Sequence, residues 1–234
     1  MSRAETLRAL HHGDTPLVLP NAWDPVSARI VAEAGFSAVA TSSGAVARVI
    51  GYDDGQLTPE AEMFAAVARM VRAVDVPVTA DMEAGYGLSP QEFVERLLET
   101  GAAGCNLEDS TSDGLTEPER QADYLAEVRA AAGADLVVNA RIDTFLHGGT
   151  VADAITRGRA YRRAGADCVY PILAPVESIA ELKEGIGGPL NAHAAPDGPT
   201  CAELVAAGAT RISYGTSLHH YLMDSFRKLL PELG

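Results

Sequence analysis

Long apolar runs are missing from this 234-residue sequence, basic residues are few, and cysteine is scarce. No stretch reaches the roughly 20 apolar residues that a membrane-spanning helix requires, so no membrane association is expected. The opening residues, MSRAETLRALHHGD, lack the apolar core of a secretory leader, and the expected compartment is the cytoplasm. Eighteen Lys and Arg stand against 32 Asp and Glu, a formal net charge of −14. With no Lys/Arg run either, a nucleic-acid groove is excluded. The same surface does not attract anions, so a site for a carboxylic acid must make its own positive field. A metal, an arginine or helix N-termini are the available sources. The three cysteines, Cys105, Cys168 and Cys201, show no CxxC spacing, and their odd count fits a disulfide framework poorly. Cys105 and Cys168 lie in apolar runs and read as small core residues.

What is present is regular alternation. Hydrophobic residues make up 47% and charged ones 21%, enough to bury a full core. Eight short runs read as strands: Leu17–Leu19, Ala38–Thr41, Val76–Ala80, Gly104–Leu107, Leu136–Ala140, Cys168–Ile172, Leu190–Ala192 and Arg211–Tyr214. Between them lie stretches such as Pro59–Val74 and Pro90–Thr100, with apolar residues at helical spacing. Strict β–α alternation implies parallel strands, and eight units is the number that closes a (β/α)₈ TIM barrel. The expected organisation is one such domain over residues 1–234. A doubly wound open sheet is the alternative, but no GxGxxG follows the first strand.

A weak repeat supports the barrel. AEAGFSAVATS, LETGAAGCNLED, RRAGADCVYPI and VAAGATRISYG each pass from a helix through Gly35, Gly101, Gly165 or Gly208 into a strand. Glycine there enters the left-handed region without a Cβ penalty and ends the helix. Asp24-Pro25, Thr58-Pro59 and Ser89-Pro90 read as helix starts, and Ser89-x-x-Glu92 and Thr116-x-x-Glu119 as capping boxes.

In a barrel of this kind the chemistry sits at the C-terminal strand ends. Asp81 and Glu83 end the third strand and, two apart, point the same way on extended backbone. Glu108 and Asp109 end the fourth and are expected at the same mouth. Carboxylates gathered on one rim repel unless a cation sits between them. Oxygen ligands without clustered His or Cys favour Mg²⁺, with Mn²⁺ also suitable. Arg141, ending the fifth strand, either steadies the rim as an ion pair or holds a substrate carboxylate or oxyanion. Gly44 and Ala45, after the second strand, offer backbone N–H groups to an anion. Asn191 and His193 end the seventh, Asn191 as a substrate contact. His193 is either an acid–base group or a hydrogen-bonded support. His219 and His220 read as surface residues of the last helix.

With TSSGAVA, GYDDGQLT, TADMEAGYG, CNLEDS and NARIDTF in view, the chain resembles the isocitrate lyase/phosphoenolpyruvate mutase superfamily, in particular its short bacterial members. The likeness runs from Leu17-Val-Leu-Pro-Asn-Ala-Trp23-Asp24 to Ser213-Tyr-Gly-Thr216. It implies that Asp81 binds Mg²⁺ directly while Glu83, Glu108 and Asp54 hold its waters. Glu83 replaces the usual Asp of the family's D-x-D pair. By the same resemblance Ser43, Gly44 and Ala45 grip the substrate carboxylate, and Arg141 lies beside the reacting oxygen. Trp23 and Tyr86 wall the pocket, with a core role open for Trp23. A homo-oligomer, dimer or tetramer, and a small carboxylic-acid substrate are also implied. The loop Ser110–Glu119 departs most, lacking the Lys and Cys that lyases of this superfamily carry there. The expected activity is Mg²⁺-dependent C–C cleavage of a small 2-hydroxy or 2-oxo acid through an enolate-like intermediate. P–C bond chemistry on phosphonopyruvate and a catalytically inactive ligand-binding barrel are the alternatives.

Overall fold

The structure, a computed structural model, describes residues 1–233. Eight parallel strands form its inner wall. They are β1 (Leu17–Leu19 and Asn21–Ala22, interrupted at Pro20), β2 (Val39–Thr41), β3 (Val78–Asp81), β4 (Gly104–Leu107), β5 (Val137–Ile142), β6 (Cys168–Pro171), β7 (Asn191–His193) and β8 (Arg211–Ser213). The two segments of β1 close the ring: Leu17–Leu19 pairs with β8, and Asn21–Ala22 pairs with β2. From β2 the ladder continues in chain order to β6, and β7 pairs with β8. Between β6 and β7 the joint is thin. A single bridge, Val169 to Leu190, joins them, with the Val169 N–H donating to the Pro189 carbonyl at 3.2 Å. Beyond it Pro171 has no N–H to give, and an apolar cavity of about 230 Å³ opens against Leu173, Ile179 and Leu204.

The helices are α1 (Arg3–Leu10), α2 (Pro25–Glu33), α3 (Ser43–Ile50), α4 (Glu60–Val71), α5 (Pro90–Thr100), α6 (Pro118–Ala132), α7 (Val151–Arg163), α8 (Ile179–Ile186), α9 (Cys201–Ala206) and α10 (Ser217–Leu229). Outward strand residues such as Ala80, Cys105, Val138, Val169 and Ile212 pack with buried helix residues into the larger core. A smaller core seals the N-terminal end of the ring, where Leu7 of α1 meets Leu17, Leu19, Ala38, Ala40 and Val137. Above it lies Arg211, fully buried, its guanidinium against His11 and Asn106.

Apart from β1, which continues past Pro20 to Ala22, the strand ends lie within two residues of their expected places. Gly35, Gly101, Gly165 and Gly208 all take positive φ, between 80° and 113°. Asp24 and Ser89 cap as expected, accepting from the Ser27 and Glu92 amides. Three cap readings need correction. Thr58 is not the cap of α4; Pro59 takes that position without a side-chain bond. Glu92 completes no box with Ser89, because its carboxylate is drawn to Arg96 one turn on. Thr116 forms no box with Glu119 either; Glu117 takes the cap position of α6, and the Thr116 backbone is bound by Asp109 and Arg157.

Candidate active site

The C-terminal rim is organised around Asp81, the last residue of β3. Its backbone N–H donates to the Thr41 hydroxyl at 2.8 Å. Carboxylate Oδ2 accepts from the Ser43 amide at 3.0 Å and the Ser43 hydroxyl at 2.9 Å. Ser43 opens α3, whose cap, Ser42, accepts from the Ala45 amide at 3.3 Å. Gly44 therefore carries the uncommitted N–H of that turn. Asp81 Oδ1 is buried and has no partner. Burial raises the Asp81 pKa against the opposing pull of Arg141 and Ser43.

Asp54 arrives from the loop before α4, and Ser43 Oγ stands 3.5 Å from its Oδ1. Of the neighbouring pair Asp53 and Asp54, only Asp54 makes this contact among the described residues. The loop after β3 supplies Glu83 and Tyr86. The Tyr86 hydroxyl donates to Glu83 Oε1 at 2.5 Å, the Gln56 N–H donates to Glu83 Oε2, and the Tyr86 N–H donates to Gln56 Oε1 at 2.8 Å. Gln56, Glu83 and Tyr86 all hold positive φ (63°, 48° and 57°). Such backbone costs about 1–3 kcal/mol per residue and persists where the surroundings enforce it. Burial raises the Glu83 pKa to about 6.

Glu108 ends β4 and is ion-paired with Arg141 Nη1. Its pKa stands well above the usual carboxylate range through burial, with Arg141 opposing the shift. Burial opposes the charge of Arg141, but Glu108, Asp143 and Asp81 outweigh it and hold its pKa above the usual arginine range. Asp109 does not share the mouth with Glu108. Successive strand residues face opposite ways, so Asp109 turns behind the strands to Arg157 (3.0 Å) and Tyr161 (2.7 Å) of α7. His193 Nδ1 lies 3.0 Å from the Tyr170 hydroxyl, and burial together with Arg141 lowers its pKa.

Two further residues are committed to contacts within the protein, which for Trp23 is the core role left open above. Asn191 is fully buried, and its amide is spent on the Ser213 hydroxyl and the Ala192 carbonyl. It braces β7 against β8 rather than facing a ligand. Trp23 lies edge-on to His219, ring centroids 5.0 Å apart, and lines a groove between α2 and α10. His219 is accordingly buried, not a surface residue; only His220 is exposed.

Sequence reasoning missed Thr41, Gln56, Tyr170 and Asn21. Asn21 staples the ring, donating to the Thr41 carbonyl and accepting from the Tyr214 and Gly215 amides. Asp143 was also missed, although its place two residues after Arg141 was a usable signal.

The donor chemistry of the rim is that of a hard divalent cation, although its side chains are not gathered into an enclosing set. Asp81 presents a buried, unpartnered oxygen, and the acids around it offer oxygen only. Among the described residues no three His, Cys, Asp or Glu side chains converge tightly enough to enclose an ion. Glu83 and Glu108 are instead satisfied by Tyr86, Gln56 and Arg141.

Comparison with known proteins gives this rim a family. The model of the phosphoenolpyruvate phosphomutase family matches residues 7–233. An uncharacterized Mycobacterium tuberculosis protein is 34% identical over 88% of this chain and 80% of its own. Oxaloacetate decarboxylase of Rhodopseudomonas palustris is 32% identical over 82% of this chain and 72% of its own. Among solved structures, a Burkholderia cenocepacia protein provisionally named a phosphonomutase superposes with a TM-score of 0.92 at 36% identity. That match covers 99% of this chain and 98% of the other. The chain thus belongs to the phosphoenolpyruvate phosphomutase family, within the isocitrate lyase/phosphoenolpyruvate mutase superfamily of TIM-barrel lyases and mutases.

Proposed function

We propose that this enzyme is a Mg²⁺-dependent lyase that breaks a C–C bond in a small 2-hydroxy or 2-oxo acid through an enolate-like intermediate. The observation that carries this reading is the Asp81 carboxylate, buried at the end of β3 with Oδ1 unpartnered and Oδ2 fixed by Ser43. Asp81 would hold Mg²⁺, or Mn²⁺, directly, with Asp54, Glu83 and Glu108 around it. When bound, the cation polarises the substrate oxygen beside the breaking bond. Arg141 shares the developing negative charge, and the Gly44 N–H at the start of α3 receives the substrate carboxylate. His193 is kept neutral by burial and Arg141. In the tautomer that accepts from the Tyr170 hydroxyl at Nδ1, its proton rests on Nε2, available for transfer. Arg141 already answers Glu108 and Asp143, so the rim suits a small acid better than a tricarboxylate. Relatives named oxaloacetate decarboxylase and 2,3-dimethylmalate lyase, after a 2-oxo and a 2-hydroxy acid, support this substrate class.

The test is pyruvate release from oxaloacetate, substituted malates, methylisocitrate and phosphonopyruvate, with Mg²⁺ and with EDTA. Release from a C–C substrate should require Mg²⁺ and fall by at least a hundredfold in Asp81→Asn, a variant of nearly unchanged shape. Release from phosphonopyruvate alone would replace C–C with P–C chemistry.

The same reading includes a homo-oligomer working in the cytoplasm. Helix α10 buries only His219 and exposes Tyr221, Leu222, Met223, Phe226 and Leu229, an apolar surface suited to a second copy.

A further inference from the structure

Arg141 reaches the mouth on a long side chain, and Glu108 alone does not determine its direction. Asp143, fully buried two residues further on, accepts from Arg141 Nε at 2.6 Å. Its second oxygen accepts from the Ser110 hydroxyl at 2.5 Å. Ser110 begins the short hairpin after β4, in which Ser110–Thr111 pairs with Gly114–Leu115. One carboxylate thus holds both the guanidinium and the base of the loop beside the mouth.

Asp143 is itself held from behind. Its backbone N–H donates to Asp109 Oδ1 at 2.7 Å. Asp109 Oδ2 accepts from Arg157 and Tyr161, one turn apart on α7. Arg157 also donates to the Thr116 carbonyl at 2.7 Å, while the Thr116 N–H donates to the Asp109 carbonyl at 2.8 Å. Both ends of the hairpin therefore return to the same buried cluster. Glu108 already gives Arg141 one carboxylate partner, on the Nη1 side. The surplus is geometric: a carboxylate on the Nε side leaves the Nη1 side facing Glu108 and the mouth.

We infer that Asp143 is a positioning residue, one that aims Arg141 at the substrate and docks the β4 hairpin, with Asp109, Arg157 and Tyr161 fixing its backbone. The inference rests on the function proposed above and deepens it. A rigid supporting shell of this kind keeps a catalytic group within the narrow tolerance that transition-state stabilisation requires.

The test compares Asp143→Asn, Asp143→Glu, Asp143→Ala and Ser110→Ala. Mg²⁺ binding and Mg²⁺-dependent oxalate binding are followed by calorimetry, oxalate serving as a planar mimic of a pyruvate-type enolate. Turnover of the active panel substrate and the thermal midpoint are measured beside them. Mg²⁺ affinity should stay within about twofold of the parent in every variant. Oxalate affinity and kcat should fall at least tenfold in Asp143→Glu, which keeps the charge but moves it. Asp143→Asn, which keeps the shape, should lose less than Asp143→Glu. Ser110→Ala should lower kcat severalfold with little change in KM. Parent-like behaviour of Asp143→Glu, with Asp143→Asn as impaired as Asp143→Ala, would reduce Asp143 to a counter-charge and overturn the inference. Unchanged kcat in Ser110→Ala would remove the hairpin from it. Should Asp143→Ala fail to fold, the Asn, Glu and Ser110 variants still decide. A parent protein that binds neither Mg²⁺ nor oxalate would instead overturn the underlying function.

Discussion

Gly44 has no room for a methyl group. A Cβ there would stand 2.3 Å from Asp54 Oδ2 and 2.8 Å from the Thr216 methyl. Both are side-chain atoms rather than backbone, so Gly44→Ala should fold while pushing Asp54 off the rim. A fall in kcat/KM of at least tenfold, with a thermal midpoint near the parent's, is the expected result; unchanged turnover would show that Asp54 has no part in the chemistry. At this scale the acids were the legible part. Asp81, Glu83 and Glu108 are charged residues at successive strand ends, a pattern with few cheap structural explanations. Asp109 was misplaced for a simple reason: neighbouring residues on a strand face opposite sides, so Glu108 and Asp109 were never both candidates for the mouth. Gln56 left no signal, because its contribution depends on left-handed backbone at a non-glycine position. Asn191 and Trp23 were read by position alone, without the hydrogen bonds or ring contacts that commit them elsewhere.

Among the elements, α1 has a task beyond closing the bottom of the ring. His11 at its C-terminal end sets Nδ1 2.8 Å from the Leu7 carbonyl and Nε2 3.2 Å from Arg211 Nη1. Donation from Nδ1 to the carbonyl leaves Nε2 as the acceptor for Arg211, an arrangement open only to the neutral ring. Burial first, then the Arg211 charge, lowers its pKa from 6.5 to about 4. Because the folded value is the lower one, the unfolded chain binds a proton between these limits that the folded chain refuses. Stability is complete above pH 6.5 and declines as pH falls toward 4, by roughly 3 kcal/mol at the limit. Urea midpoints at pH 7 and pH 4.5 should show a smaller acid loss in His11→Gln than in the parent; equal losses would clear His11. Elements were more legible than caps. Glycine-ended helices and β-branched runs carry their own local energetics, so the strand ends other than that of β1 were placed within two residues. The caps of α4 and α6 escaped because Thr58 and Thr116 lie one residue before the true cap position, a distinction that sequence spacing cannot make.

For the whole molecule, α10 is the outlying feature, an amphipathic helix whose apolar side remains in the open. Phe226 is 53% exposed and Leu222 47%, on the same helix face one turn apart. Light scattering should report a dimer or larger for the parent and a monomer for Leu222→Glu/Phe226→Glu; a parent that is monomeric at micromolar concentration would remove the oligomer from the proposal. The closed ring itself was foreseeable from eight β–α units, but not how it closes, since the division of β1 at Pro20 between two neighbours is a matter of register. The ring is also uneven. Where β6 meets β7 one bridge does the work that full ladders do elsewhere, and the wall should breathe along that seam. In hydrogen exchange the Val169 amide should lose its protection ahead of the Val137 amide, which lies within the β4–β5 ladder. Since Arg141 stands on β5 and His193 on β7, an opening of the seam would separate the two residues. On the function proposed above, slower opening of that seam should slow product release, which a pre-steady-state burst would reveal.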